Sequence, residues 1–256
     1  MNAPIVELDH VSLTYHEPTA ETLAIKELSF TIECGEFVAI VGPSGCGKTS
    51  VLSLLAGLMG PSSGRVRILG HDVTGTNTDV GYMLQRDHLL DWRTVEGNIL
   101  LGLEVKRIKR PDTVEHAFEL LETYGLCDFR RHYPRQLSGG MRQKVALIRT
   151  LAFGPDILLL DEPFSALDYQ TRLHLADEVR AIIRTEKKTA ILVTHDIAEA
   201  ISMADRVLVF STRPATIKSE HKIEFDSEAA PLARRNLPGF KDYFDLIWKE
   251  LDWNEG

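Results

Sequence analysis

The chain has 256 residues, 44% of them hydrophobic and 26% charged, and 29 Lys+Arg against 37 Asp+Glu give a formal net charge of −8. This composition excludes a disordered or fibrous protein, and the length suffices for a sizeable buried core. The acidic balance argues against general nucleic-acid binding, which needs a basic face, so no nucleic-acid partner is expected.

Cys34, Cys46 and Cys127 form no CxxC pair, and the nine histidines show no metal-ligand spacing. That usage suits a reducing compartment and argues against a disulfide framework or a zinc site. No apolar run approaches the roughly 20 residues of a membrane helix. Residues 1–7 lack the basic start and apolar stretch of a secretory signal. The expectation is a cytosolic chain that meets a membrane only through a partner.

Along the chain, Val11, Leu13 and Tyr15 alternate with Ser12 and Thr14, the period of a half-buried strand. Segments 28–32, 65–69 and 80–84 read as further strands, punctuated by Gly35, Gly60-Pro61, Gly64 and Gly70. Four runs differ in kind, being apolar throughout: 37–41, 157–160, 190–193 and 207–210. Strands covered on both faces, as in a parallel sheet flanked by helices, have this character. Between them, Asp112-x-x-Glu115 reads as a capping box, Val114, Ala117, Phe118 and Leu121 as a helical stripe, and Gly125 as its stop. A helix is predicted over 169–184, with Leu173, Ala176, Val179 and Ile183 on one side. The largely helical stretch 86–153 interrupts the strand series, so it is read as a subdomain inserted in a core made of 1–85 and 154–210. The tail, 211–256, is polar until Tyr243, Phe244, Ile247 and Leu251, whose helical spacing predicts packing on the chain's own domain.

Gly42-Pro43-Ser44-Gly45-Cys46-Gly47-Lys48-Thr49 fits the phosphate-binding loop and directly follows the apolar run ending at Val41. Glycines let backbone N–H groups wrap phosphate oxygens, and a helix starting near Lys48 adds its positive end. Lys48 is placed for the β- and γ-phosphates and Thr49 for Mg²⁺; these eight residues and Ser50 form the candidate ATP-binding set. A glycine-rich turn that merely fits the pattern is the bland alternative. After the run 157–160 come Asp161 and Glu162. Two acids at a buried strand end need a cation or solvent. Asp161 is the candidate Mg²⁺ ligand and Glu162 the candidate general base, a pair suited to phosphoryl transfer. Pro163 makes a helix N-cap the competing explanation.

Leu137-Ser138-Gly139-Gly140 lies between these two elements, ahead of a helix holding Val145, Ile148 and Ala152. With the phosphate loop before it and the acidic strand end after it, the chain resembles the ABC ATPase family over nearly its whole length. The resemblance implies an α/β fold: a P-loop NTPase core of mainly parallel sheet, with an N-terminal antiparallel β subdomain and an inserted helical subdomain. It implies that Leu137, Ser138, Gly139 and Gly140 act in trans on the γ-phosphate held by the opposite subunit of a homodimer. It also assigns Tyr15 to adenine stacking (core packing being the alternative), Gln85 to Mg²⁺ or the attacking water, and Ser165 and Asp168 to a loop crossing the dimer interface. His195 becomes the switch residue at the γ-phosphate, against a purely structural histidine. Two departures are Met141, where the family usually has Gln, and Cys46, a thiol in the loop that reagents are expected to attack.

Leu89-Leu90-Asp91-Trp92-Arg93-Thr94-Val95 is similar to the LLPWxTV segment of nitrate/sulfonate/taurine-type import ATPases, with Asp91 in place of Pro. Leu89, Leu90 and Trp92 also suit the core of the helical subdomain. The resemblance implies an ATP- and Mg²⁺-dependent ATPase subunit that powers solute uptake through separate permease subunits. It would work with a periplasmic or extracellular solute-binding protein, from the cytoplasmic face of the inner membrane. A stand-alone export cassette and a non-transport ABC ATPase are the alternative readings.

Overall fold

The computed structural model describes residues 3–18, 20–225 and 229–251; the last five residues of the predicted tail lie outside the described residues. In chain order come β1 (Val6–Glu17), β2 (Ala20–Ile32), β3 (Phe37–Val41), α1 (Lys48–Leu55), β4 (Ser63–Ile68), β5 (His71–Asp72) and β6 (Val80–Met83). Then follow α2 (Val95–Ile99), α3 (Leu101–Val105), α4 (Pro111–Thr123), two 3₁₀ turns, α5 (Gly139–Leu151) and β7 (Ile157–Asp161). The chain continues through α6 (Tyr169–Thr185), β8 (Thr189–Thr194), α7 (Ile197–Met203), β9 (Arg206–Phe210), β10 (Ile217–Lys222), α8 (Pro231–Arg234) and α9 (Phe240–Glu250).

Among the described residues two sheets form, an antiparallel one in the order β2-β1-β4-β5 and a mixed one in the order β10-β9-β3-β8-β7-β6. In the second, β9, β3, β8, β7 and β6 pair in parallel and β10 returns antiparallel. The period of two along each buried strand builds two cores. Ala39, Leu158, Leu160, Leu192 and Val209 face the helices α2 to α7 and α9. Val38, Ile40, Leu159, Ile191 and Leu208 face α1 and the antiparallel sheet. The four runs read as doubly covered are thus β3, β7, β8 and β9.

One local expectation is corrected and two are refined. Segment 80–84 forms a strand, β6 (Val80–Met83), which pairs in parallel with β7, from Val80 opposite Ile157 to Met83 opposite Leu160. Its Gly81 fits there because a Cβ would meet Thr150 Cγ2 at 2.6 Å. The capping box at Asp112 is displaced, since α4 starts at Pro111 and the Arg110 N–H donates to Thr113 Oγ1 (3.0 Å). Proline at the first helical position needs no N–H partner, so it sets the start. Finally, the polar tail contains β10 and α8, whose short alternating segments carry little apolar signal. Farther on, Ile247 of α9 and Leu251 just after it are buried against the helical face of the core.

Asn98 ties down the part of the segment between β6 and α2 that runs from Leu90 to Thr94. Asn98, fully buried, accepts the Leu90 N–H on Oδ1 at 2.7 Å. Its Nδ2 lies 3.0 to 3.2 Å from the carbonyl oxygens of Leu90, Arg93 and Thr94. Removing that amide strands several backbone groups away from water. Asn98→Ala is expected to cost about 2–4 kcal/mol of unfolding free energy, measured by denaturant titration.

Candidate functional site

The glycine-rich loop spans the gap between β3 and α1. Gly45 and Gly47 have φ of 73° and 124°, a region closed to most side chains. Gly42 is packed so closely that a Cβ would meet Cys46 Sγ at 3.0 Å and Phe210 Cβ at 3.1 Å. Lys48 is 6% exposed. Its ammonium donates to the carbonyls of Gly42 (2.7 Å) and Pro43 (2.9 Å), the partners a buried charge requires. Cys46 is buried, and burial pushes its thiol pKa up, against the opposing pull of Lys48. A buried, protonated thiol is a poor nucleophile, which runs against the expected attack by thiol reagents.

The carboxyl ends of the parallel strands carry the remaining polar groups. Thr49 Oγ1 donates to Asp161 Oδ1 (3.2 Å) and the Tyr82 hydroxyl to Asp161 Oδ2 (3.4 Å). Burial raises the Asp161 pKa and the neighbouring Glu162 charge adds to it, while those two hydrogen bonds and Lys48 oppose. Tyr82 is itself held protonated by burial and by the Asp161 charge, which makes it a dependable donor.

Glu162 stands at φ 44°, a left-handed backbone unusual for a residue with a Cβ. Its N–H donates to the Val193 carbonyl (2.8 Å). That turn points the carboxylate between two neighbours: Gln85 Nε2 donates to Oε2 at 3.0 Å, and His195 Nδ1 lies 3.1 Å from Oε1. Gln85 follows β6 and His195 follows β8, so three strands converge on one carboxylate. Its carbonyl accepts from both the Ser165 N–H (3.2 Å) and Oγ (3.0 Å). Asp168 caps α6, accepting the Thr171 N–H at 3.0 Å.

Other predicted residues stand apart from that cluster. Ser138 is exposed and caps α5, accepting the Met141 N–H at 3.3 Å, with Leu137 buried behind it. Met141 packs half-buried against the core. Tyr15 is half-buried against the second core, its hydroxyl 2.9 Å from Ser50 Oγ and 3.5 Å from Met59 Sδ. In the segment after Gln85, Leu89 is core while Trp92 is 75% exposed.

Residues absent from the sequence prediction hold this framework. From α5, Arg142 Nε donates to Asp87 Oδ2 (3.0 Å), and Arg149 donates to the carbonyls of Asp87 (2.7 Å) and His88 (2.8 Å). Arg172 on α6 reaches Asp196, and Glu199 lies buried on α7. An arginine four residues after a helix-capping acid was the one available signal for Arg172. The others appear only when α5 and α7 are packed.

A strand, a glycine loop and a helix beside an acidic strand end, with a helical segment between, define a nucleotide-binding cassette. The family described as ABC transporter matches residues 25–165. An uncharacterized ABC transporter ATP-binding protein of Bacillus subtilis is 46% identical over 248 residues, covering 96% of this chain and 95% of that one. The aliphatic sulfonates import ATP-binding protein of Bacillus licheniformis is 40% identical, covering 92% and 89%. Among solved structures, a dimeric post-hydrolysis cassette, MJ0796 bound to ADP and Pi, superposes with a TM-score of 0.72 at 29% identity, covering 86% of this chain and 100% of that one. The chain belongs to the ABC transporter family, as an ATP-binding, ATP-hydrolysing cassette. Among the described residues no helix is long and apolar enough to cross a membrane.

Glu199 supplies a test of the packing behind His195. It is 3% exposed, and burial, then the Asp196 charge, push its pKa to about 8. A carboxyl raised in the folded state is neutral there while the unfolded chain ionises. Its contribution is therefore intact below about pH 4.5 and lost as pH climbs to about 8. Glu199→Gln, a permanent neutral mimic, is expected to match the parent's melting temperature near pH 5 and exceed it at pH 9, read from thermal melts across that range.

Proposed function

We propose that this chain is the ATPase subunit of an importer for a small solute of the nitrate, sulfonate or taurine kind, working as a homodimer on separate permease subunits. The observation that carries this is the Glu162 carboxylate held between Gln85 and His195 beside the phosphate loop. The sulfonate-import relative, alignable over nearly the whole chain, supports the direction and class of transport. On this reading residues 1–85 and 154–210 bind nucleotide, 86–153 present the signature, and 211–256 form the tail. A periplasmic or extracellular solute-binding protein delivers the solute, and the subunit sits at the cytoplasmic face of the membrane through its permease.

The chemistry follows from the residues. Loop N–H groups of 44–48 and the α1 end take the triphosphate, and Lys48 exchanges its carbonyl partners for β- and γ-phosphate oxygens. Tyr15 and Ser50 border the nucleotide. Thr49 Oγ1 and Asp161 Oδ1 offer adjacent oxygens, a donor pair that fits a small hard cation, and the Gln85 amide oxygen completes the protein's share. Mg²⁺, when bound there, neutralises phosphate charge. Glu162 takes the proton of the attacking water while His195 holds the carboxylate in place and faces the γ-phosphate. The exposed Ser138 at the α5 start, with Leu137, Gly139 and Gly140, faces the phosphates of the second copy, and Ser165 and Asp168 line the loop between the two.

Glu162→Gln is expected to slow ATP hydrolysis by about 10²-fold or more while binding ATP, and to elute as a dimer in ATP on size exclusion. Hydrolysis at the parent rate removes Glu162 from this role. Lys48→Ala is expected to weaken ATP binding by about tenfold or more in a fluorescent-nucleotide titration, a loss of at least one charged phosphate contact.

A further inference from the structure

A ring of polar contacts passes through Glu162 and closes on itself. From the Glu162 carbonyl it runs to Ser165, which receives that carbonyl on its N–H and Oγ. Two residues on, the Leu167 carbonyl accepts from Arg172 Nη2 at 3.3 Å. The same guanidinium gives Nη1 to Asp196 Oδ2 at 3.4 Å. Asp196 is itself fixed twice, its N–H donating to Thr194 Oγ1 (3.0 Å) and its Oδ1 accepting the Glu199 N–H (3.1 Å). It adjoins His195, whose Nδ1 returns to the Glu162 carboxylate at 3.1 Å.

We infer that Arg172 is a positioning residue, coupling the loop 165–168 to His195 and so to the carboxylate of Glu162. This rests on the reading that Glu162 and His195 are the hydrolytic pair and that the loop meets a second copy of the chain. One planar guanidinium holds a loop carbonyl and the switch-side carboxylate from two separate nitrogens, a spread that the compact point charge of an ammonium does not reproduce. Both contacts are longer than an optimal charge-assisted hydrogen bond. Pressure on the loop by a second copy shortens them and fixes Asp196, with the adjoining His195, in its place against Glu162. Arg172 has no hydrogen bond to any phosphate-loop residue among the described residues. Its effect therefore falls on turnover and not on nucleotide affinity.

The test is steady-state ATP hydrolysis by the full-length chain carrying Arg172→Ala, Arg172→Lys, Asp196→Asn or the Ala/Asn pair. Arg172→Ala is expected to lower kcat about tenfold with the half-saturating MgATP concentration changed by less than about twofold. Arg172→Lys, which keeps the charge but lacks the two-nitrogen fork, is expected to remain about threefold or more below the parent. Asp196→Asn keeps the oxygen that caps α7 and is expected to match Arg172→Ala, the double variant losing no more than either single one. A parent-like kcat in Arg172→Ala, a loss confined to half-saturation, or additive losses in the pair would overturn the coupling. Should Arg172→Ala fail to fold, Arg172→Lys and Asp196→Asn decide it by the same criteria. Glu162→Gln is assayed alongside. Hydrolysis lost there with Arg172→Ala unimpaired overturns the coupling alone; hydrolysis kept in Glu162→Gln overturns the reading of the site as well.

Discussion

Parallel register is the constraint from which the site follows. Val41 lies opposite Thr194, Asp161 opposite Val193 and Met83 opposite Leu160, so the strands end within about one residue of a common line. Whatever follows each strand must emerge at that edge: the glycine loop from β3, Glu162 from β7, His195 from β8 and Gln85 from β6. Open parallel sheets place their ligand sites at this end for the same reason. Register in turn is enforced by the two cores. A slip of one residue would exchange the residues facing the helices with those facing the antiparallel sheet, and both faces are tightly filled.

The edge is electrostatically expensive, and its sequence tolerates that cost in specific ways. Asp161 is almost fully buried, and two hydroxyl donors, from Thr49 and Tyr82, counter the loss of water. Lys48 is as buried and satisfies its charge on main-chain carbonyls. Glu162 carries a backbone conformation that costs about 1–3 kcal/mol in an ordinary residue. The Val193 hydrogen bond and the two Ser165 contacts hold that turn from both sides. Strain at this residue aims its carboxylate; an extended backbone would continue the strand and send the side chain elsewhere.

Much of this was legible in the residues. The four unbroken apolar runs identified the buried parallel strands, because alternation vanishes when both faces are covered. The glycine loop declared itself by the spacing of its glycines, Lys48 and Thr49 directly after the apolar run ending at Val41, and the acidic pair by its place after Leu160. What escaped the sequence depends on partners distant along the chain. Val80 to Met83 is too short and too mixed to reveal parallel pairing without β7. Arg149 and Asp87 are 62 residues apart, and no local pattern joins them. The left-handed turn at Glu162 leaves no trace in composition. The outermost strand of the tail is built from alternating half-buried and exposed side chains with hardly an apolar residue among them.

That outermost strand bears on how the mixed sheet meets another chain. A bare sheet margin is a template on which another chain zips by main-chain hydrogen bonding. In the mixed sheet one margin is β10, with Lys218, Glu220 and Lys222 all exposed, and the other is only the four residues of β6. Neither offers a long, flat, greasy ribbon. Extension of the mixed sheet by another chain is thereby discouraged.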